Sequence, residues 1–427
     1  MSSDTIKQNL PASIIAIGAG NRMRTYAYYL QQHPDEGRIV AVVEPNKYRR
    51  DTMADLFGIP QSCRYENYKR FFEDPVPGDA VFICTPDKDH FQCCFSAIQK
   101  GYNVLLEKPI AQTFEECMIL DKAARKANVI VSICHVMHYY PCFLKLKELV
   151  QNGNLGEIIS INHTEWVGLD RMTHSYVRGT FGKKENSNPM FLAKCCHDVD
   201  FLLWLMGDVS IRKVSSFGSL RWFRKENAPQ GAAKRCLDCS IEGKCPFSAV
   251  NLYLRKREWI RNIDVLEGES IEDSIQRELR EGDIGRCVYY CDNDVVDHQS
   301  VTVDTENGVT ITMMMECFTR RDSRKTYIYM TEGEIECNEK TIKVTRFIDN
   351  SQKVYNFLHT LKQPYHAGAD LKIVEEFLYA IKNKRNHLSS LLHNSILSHL
   401  VCYAAEDSRL QEKVIDIGAL SKSLQGK

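Results

Sequence analysis

The chain has 427 residues, 44% of them hydrophobic and 26% charged, which excludes a disordered protein and is too long for one ordinary core, so two domains are expected. Lysine plus arginine and aspartate plus glutamate both number 55, leaving no net field to hold a polyanion; nucleic acid and an acidic membrane face are not expected partners. Of the 17 cysteines, Cys84, Cys93, Cys94, Cys134 and Cys402 lie inside apolar stretches, which fits reduced, buried thiols and a cytoplasmic protein.

The chain opens on a polar stretch, residues 1–11, and the apolar run that follows, Ile14 to Ile17, is too short for a signal-peptide core. No segment has the length needed to span a bilayer. That first apolar run breaks into Gly18-Ala19-Gly20 and then into a helix predicted over residues 22–33, with Asn21, Arg22 and Met23 at its start. This is the pattern of a dinucleotide-binding turn. Gly18 permits the tight turn, Gly20 lets backbone approach a pyrophosphate, and N–H groups at the helix start meet its charge. The third glycine of the fingerprint is replaced by Met23, so helix and strand are expected slightly further apart than usual. A second strand, predicted over 38–43, ends in Glu44, at a spacing suited to a group that bonds ribose hydroxyls; its charge repels a 2′-phosphate and favours NAD over NADP.

A helix is predicted over 47–57 and a third strand over 80–84, after which Thr85-Pro86-Asp87 turns into a helix containing His90. A fourth strand, Val104-Leu105-Leu106, stops abruptly at Glu107-Lys108-Pro109; a helix over 114–127 and a fifth strand over 129–134 lead to His135. Strands alternating with helices of this length imply right-handed crossovers and a parallel, doubly wound sheet, closing near residue 135. Ligands of such sheets lie beyond the carboxyl ends of the strands, where Lys108 stands, and Pro109 holds Lys108 in extended geometry.

The combination Gly-x-Gly, Glu44, Thr85-Pro86-Asp87-x-x-His90 and Glu107-Lys108-Pro109, in this order, resembles the Gfo/Idh/MocA family of glucose-fructose oxidoreductase, inositol dehydrogenase and rhizopine-catabolism proteins. The resemblance extends over nearly the whole chain. It implies an α/β protein with an N-terminal Rossmann domain, residues 1–135, and a C-terminal α+β domain, residues 136–427, built on a large, mostly antiparallel open sheet. It further implies that the Thr85-Pro86 loop lies along the nicotinamide ribose and that Lys108 reaches both ribose and substrate. The C-terminal sheet would wall the substrate site and make a homodimer or homotetramer.

The second half fits this layout. Residues 137–140, ending in Tyr140, precede a helix through Leu144, Leu146, Leu149 and Val150, and strands are predicted over 157–166, 212–218, 301–304, 309–318, 326–330 and 341–346. Turns such as Glu306-Asn307-Gly308 suit antiparallel pairing. His163, Glu165, Arg171, His174, Tyr176 and Arg178 form a polar and aromatic mixture suited to polyol recognition, or simply a solvated loop. His366-Ala367-Gly368-Ala369-Asp370 is a donor-rich turn that the resemblance places near the substrate. Helices are expected over 370–381, with Leu371, Val374, Leu378 and Ile381 in one stripe, and over 388–407.

The chemical centre of this half reads Ala193-Lys194-Cys195-Cys196-His197-Asp198-Val199-Asp200, a helix on which His197 and Asp200, three apart, share a face. By itself His197 is equally readable as a hydrogen-bonded core histidine. In the resembled family the segment runs Asp-x-x-x-His-x-x-Asp, with the first aspartate and the histidine flanking the reacting hydroxyl; aligned here, Ala193 stands where that aspartate would be. Lys194 or another group then replaces the carboxylate, or the reaction is not a simple alcohol oxidation. His197 suits proton removal at neutral pH, and Lys108, as a cation, suits polarising the substrate oxygen.

An insertion around residues 221–291 carries Cys236-x2-Cys239-x5-Cys245, a spacing that fits a zinc knuckle with Cys287 or Cys291 as a fourth ligand, an iron-sulfur cluster, or reduced packing thiols. The functional expectation is an NAD-dependent oxidoreductase acting on a secondary hydroxyl of a sugar, polyol or sugar derivative. Two rivals are an NAD-dependent glycosidase working by transient oxidation and elimination, and a nucleotide-binding sensor without chemistry.

Overall fold

A computed structural model describes residues 10–260, 263–266, 268–384 and 388–418; most of the polar start, residues 1–11, lies outside the described residues. The chain divides into two compact units. The first takes the residues up to Lys147 together with Val199–Trp204 and Phe357–Leu400, and the second takes Glu148–Asp198, Leu205–Asn356 and the residues from Val401. The leading segment of the first unit ends at residue 147, and two later segments return to that unit.

In the first unit the strands β1 (Ala12–Ile17), β2 (Gly37–Val43), β3 (Arg64–Tyr65), β4 (Ala80–Ile83), β5 (Asn103–Leu106) and β6 (Val131–Ile133) form one parallel sheet in the order β3-β2-β1-β4-β5-β6. The alternating helices are α1 (Asn21–Gln32), α2 (Lys47–Phe57), α3 (Tyr68–Glu73), α4 (His90–Gln99) and α5 (Phe114–Ala127). Strand β3 and helix α3 have no counterpart in the sequence reading, because a two-residue strand and a six-residue helix are too short to show a period. The predicted bounds of α2 and α5 coincide with the observed ones. Both have local stops and starts: Asn46 caps α2 and Gly58, at φ 64°, ends it, while Thr113 and Glu116 make a reciprocal capping box at the start of α5.

The sheet order reverses between β1 and β4, the place where doubly wound sheets open a crevice. Gly18 sits there at φ 84°, and a Cβ on it would lie 2.5 Å from the Cys84 carbonyl oxygen. One further helix of this unit comes from much later in the chain. Following α6 (Pro141–Gln151), α7 (Met190–Met206) and α8 (Ile271–Arg280), α9 (Ala369–Asn383) packs Ile373, Val374, Phe377 and Leu378 into the same core as Ile14, Tyr26 and Phe82. Of its predicted stripe, Val374 and Leu378 are buried and Leu371 and Ile381 are half-buried. A last long helix, α10 (Leu392–Gln411), begins in this unit.

The second unit holds a nine-stranded sheet. Its strands are β7 (Ile158–Trp166), β8 (Ile211–Ser219), β9 (His298–Thr305), β10 (Thr310–Glu316), β11 (Ser323–Met330), β12 (Gly333–Cys337), β13 (Thr341–Arg346), β14 (Gln352–Asn356) and β15 (Ile415–Asp416), in the order β14-β13-β12-β11-β7-β10-β9-β8-β15. Only β7 and β10 pair in parallel; every other neighbour is antiparallel. The insertion has its own small core, with Ala249, Leu252, Tyr253, Ile275 and Leu279.

Replacing Gly18 by alanine adds a methyl group against a carbonyl and holds an L-residue in the left-handed region. The expected cost is about 2 kcal/mol or more. Urea denaturation monitored by circular dichroism checks this, and an unchanged midpoint for Gly18→Ala contradicts it.

Candidate functional site

In the first unit the groups expected to hold a nucleotide gather at the carboxyl ends of β1, β2, β4 and β5. Gly20 caps α1 with no side chain bonded to the helix start, no acidic residue lies in the first turn, and a Cβ at Gly20 would meet nothing within 4 Å. This leaves an open approach to a helix N-terminus, where a phosphate fits. Met23, in place of a third glycine, is fully buried in the core. Glu44 is buried at the end of β2; its Oε2 accepts the Ala19 N–H at 2.7 Å and its Oε1 accepts the Asn46 N–H at 3.0 Å. Thr85 Oγ1 is buried without a nitrogen or oxygen partner among the described residues. Asp87, also buried, opens the turn into α4.

The Glu107-Lys108-Pro109 element is fastened from three sides. Arg22 Nε donates to Glu107 Oε1 at 2.6 Å, Tyr26 Oη donates to the same oxygen at 2.5 Å, and Arg22 Nη2 donates to Asp370 Oδ1 at 2.7 Å. Burial alone would raise the Glu107 carboxyl, but Arg22 and the Tyr26 hydrogen bond outweigh it and hold it below its ordinary value. His90 reaches across with Nδ1 2.7 Å from the Pro109 carbonyl and Nε2 3.1 Å from that of Thr85, tying the two turns together. Lys108, half-buried and joined to Pro109 by a cis peptide, is the charged side chain presented at this strand end. Glu107 therefore holds the element in place while Lys108 is offered.

His366 lies beside this assembly, exposed, with Nδ1 2.6 Å from Asp370 Oδ2. It belongs to an unusual run, Tyr365, His366 and Ala367 at φ 58°, 52° and 55°, followed by Gly368 at 83°. Three consecutive L-residues in the left-handed region cost on the order of 1 kcal/mol each, and such strain gathers at functional positions. Against the pull of burial, His366 and Arg22 hold Asp370 well below the carboxylate range.

Behind Lys108 stands a closed set of histidines. His135 Nδ1 and His138 Nε2 each lie 2.6 Å from Asp200 Oδ2, and the His138 ring stacks on Trp204 at 4.6 Å. His399 Nε2 accepts the Ile110 N–H at 3.0 Å, so its proton sits on Nδ1, facing the Ser395 carbonyl at 2.9 Å. Burial, then His135 and Lys108, push His399 down to about 3, so this imidazole is neutral. Asp200 is thus engaged by histidines of the first unit, and the shared face predicted for His197 and Asp200 does not bring them to one partner. Tyr140 is half-buried against Phe143, with ring centroids 5.3 Å apart.

In the second unit the helix carrying His197 starts at Met190, about one turn before the first polar residue, Lys194. Its Lys194 and Asp198 meet β7 and β11. Lys194 Nζ lies 2.5 Å from Glu165 Oε1; Arg324 Nε lies 3.0 Å from Glu165 Oε2 and 2.5 Å from Asp198 Oδ1; Arg324 Nη1 lies 3.1 Å from Glu339 Oε1; and Arg324 Nη2 lies 3.1 Å from His197 Nε2. His163 completes the set, with Nε2 3.2 Å from Asp198 Oδ1 and Nδ1 2.9 Å from Thr326 Oγ1. Strand register explains the meeting, since Arg324 is the cross-strand partner of Glu165 and Thr326 that of His163. Arg324 stands closer to Asp198, which is held well below its ordinary value despite burial, whereas burial raises Glu165 against the pull of Arg324 and Lys194. Ala193 is buried and offers no carboxylate.

The residues expected to bind polyol between 174 and 178 are used differently. His174 Nδ1 lies 2.7 Å from Tyr253 Oη and its ring stacks on Trp259 at 4.9 Å; burial, then Arg178 and Arg171, lower it to about 4. Arg178 Nε donates to the Arg286 carbonyl and its Nη2 to the Phe247 carbonyl, both at 2.7 Å. Tyr176 packs against Phe181. His174 and Arg178 anchor the insertion, which the sequence did not place beside them. All 17 cysteines are free thiols, and among the described residues no three His, Cys, Asp or Glu side chains already stand in metal-binding geometry around Cys236, Cys239 and Cys245 or elsewhere. Among the described residues no helix is long and apolar enough to cross a membrane.

Two family profiles match the chain: "Oxidoreductase family, NAD-binding Rossmann fold" over residues 13–135 and "GFO/IDH/MocA C-terminal domain" over residues 143–237. Oxidoreductase P35 of Formosa agariphila is 31% identical over 147 residues, 34% of this chain and 44% of that protein. The 2,7-anhydro-N-acetylneuraminate hydratase of Escherichia coli is 28% identical over 131 residues, 31% of this chain and 34% of that protein. The chain spans about half the length of the curated relatives it matches. Among solved structures, a levoglucosan dehydrogenase in complex with NADH and levoglucosan superposes with a TM-score of 0.69 at 16% identity, covering 95% of this chain and 99% of that one, a likeness of fold.

Removing the guanidinium in Arg324→Met strands Asp198 and Glu165 without their shared cation, at a cost of about 3 kcal/mol at pH 7.5. The Asp198 carboxyl is lowered in the folded state, so its contribution is present above the unfolded value near ~4 and is lost as pH falls toward the folded one. The stability gap between wild type and variant should therefore narrow from about pH 5 to about pH 3, across that unfolded value. Urea melts at both values test this, and a gap that widens on acidification contradicts it.

Proposed function

The chain belongs to the Gfo/Idh/MocA oxidoreductase family, and from that premise we propose that it is an NAD-dependent enzyme acting on a secondary hydroxyl of a sugar, polyol or sugar derivative. The observation that carries this reading is the anchoring of Glu107 by Arg22 and Tyr26. It joins the helix that starts at the glycine turn to the strand end bearing Lys108. When bound, the nicotinamide accepts the hydride. The open Gly20 turn would take the pyrophosphate, Glu44 the ribose hydroxyls, and Thr85 and Pro86 the nicotinamide ribose. Lys108, as an ammonium, orients and polarises the substrate oxygen. His197, whose position Arg324 fixes, takes the hydroxyl proton. Ala193 holds the position where the family carries an aspartate, and its neighbour Lys194, paired with Glu165, stands in for that carboxylate.

Glu44 supports NAD over NADP, because a 2′-phosphate would meet a buried carboxylate. The free thiols fit a reducing compartment such as the cytoplasm. Trp166, Phe217 and Tyr329 are exposed on strands of the large sheet and support association of copies through it.

A second reading, a glycosidase that oxidises its sugar transiently and returns the hydride, is favoured by Ala193, since the carboxylate arranged for simple alcohol oxidation is absent. Incubation with a panel of sugars, sugar phosphates and glycosides, read by absorbance and product mass together, separates the two. A dehydrogenase accumulates NADH in proportion to product; the glycosidase releases aglycone with no net NADH.

Lys108→Ala should keep NAD affinity within a few-fold while lowering turnover by about two to three orders of magnitude. Turnover preserved in that variant sinks the assignment. Glu44→Ala should narrow the preference for NAD over NADP in equilibrium titrations; an unchanged ratio removes Glu44 from the ribose site.

A further inference from the structure

One group of reactive side chains has no part in this chemistry. Cys236, Cys239, Cys245 and Cys287 line a single small pocket in the second unit, beside Arg178. Backbone pairing explains why they meet. A tight turn, Cys236–Asp238, folds the chain back so that the Cys239 N–H donates to the Cys236 carbonyl at 3.3 Å, and a second turn, Glu242–Lys244, delivers Cys245. Arg235 bridges to Arg286 in antiparallel fashion and the Cys287 N–H donates to the Lys234 carbonyl at 2.9 Å, which sets Cys287 next to Cys236.

The donors around this pocket are aimed at sulfur. The Ala249 N–H points to Cys236 Sγ at 3.5 Å, and Arg178 Nη2 lies 3.7 Å from the same atom. The Phe247 N–H is directed at the sulfur of Cys245 and the Tyr289 N–H at that of Cys287, each from two residues further along the chain. Such donors favour a thiolate over a thiol. Arg178 is 3% exposed; among the described residues its Nη1 has no hydrogen-bond partner, and the rest of its guanidinium meets the two carbonyls and Cys236, with no carboxylate. A buried guanidinium without a counter-ion calls for negative charge beside it.

We propose that Cys236, Cys239, Cys245 and Cys287 bind one zinc ion in a tetrahedral, structural site that fastens the insertion. Four thiols lose their protons to solvent and four Zn–S bonds form, with no change of oxidation state. In this structure the sulfurs are not drawn to one point; Cys236 and Cys239 each turn toward a carbonyl at 3.9 Å, weak contacts that deprotonation abolishes, and side-chain rotation gathers the sulfurs. Cys291 is not part of the set, its thiol being directed at the Cys287 carbonyl at 3.4 Å.

The full chain, produced in zinc-supplemented medium and purified with reductant and without chelator, should carry about one zinc per chain by plasma mass spectrometry. Replacement with Co2+ should give the visible bands of a tetrahedral thiolate complex. The double variant Cys239→Ser/Cys245→Ser should lose both the zinc and the bands, whereas Cys291→Ser should keep them. Wild-type protein with less than about a tenth of an equivalent of zinc overturns the proposal, as do disulfide-linked pairs under reducing conditions, an iron chromophore, or full zinc retention in the double variant. The wild-type measurements decide the matter even if the double variant fails to fold.

Discussion

Two carboxylates, Glu107 and Asp370, come within 2.7 Å of the same guanidinium, that of Arg22, although they stand in parts of the chain hundreds of residues apart. Either carboxylate left without its cation in this buried setting would cost several kcal/mol, so β5, α1 and α9 are held to one arrangement. Much else in the first unit follows from that constraint. The glycine turn that opens α1 is brought to the end of β5, Lys108 is fixed by its neighbour, and the left-handed run at 365–367 is retained through the bond from His366 to Asp370. Packing of Phe377 against Phe82, with centroids 5.8 Å apart, adds apolar area to the same junction.

The parts of this arrangement encoded by neighbours in the chain were legible in advance. Gly18, Gly20 and Glu44 lie within one strand-helix-strand unit, so spacing alone singles them out as candidates. The bounds of α5 could be placed because Thr113 and Glu116 cap one end and Asn128, at φ 52°, ends the other. Long alternating strands such as Ser323–Met330 likewise announced themselves, with some loss at their ends.

What depended on register or on distant segments was not legible. Arg324 sits in a run of charged residues that reads as solvated surface; only its position opposite Glu165 across β7 and β11 makes it the hub of a buried network. The alternation of buried positions along β7, with His163 and Glu165 both inward, was the available signal. The partners of Asp200 were hidden for a different reason. Helical spacing correctly placed it three residues from His197, but spacing says nothing of what lies around a helix, and here His135 and His138 take it. His174 and Arg178, polar and close in sequence, looked like a binding surface because the insertion they support lies about 70 to 110 residues further on.

In the proposed nucleotide site, the way Glu44 is held bears on how cofactor choice would be enforced. With both oxygens already engaged by the Ala19 and Asn46 amides, its side chain has no rotamer entropy left to lose when a ligand arrives, a saving of about 1 kcal/mol over a mobile glutamate. The same rigidity prevents it from swinging aside for a bulkier or more charged ribose. If Glu44 holds the ribose as proposed, discrimination there would be a property of the backbone turn as much as of the carboxylate, and relaxing it would take a rebuilt turn rather than a softened side chain.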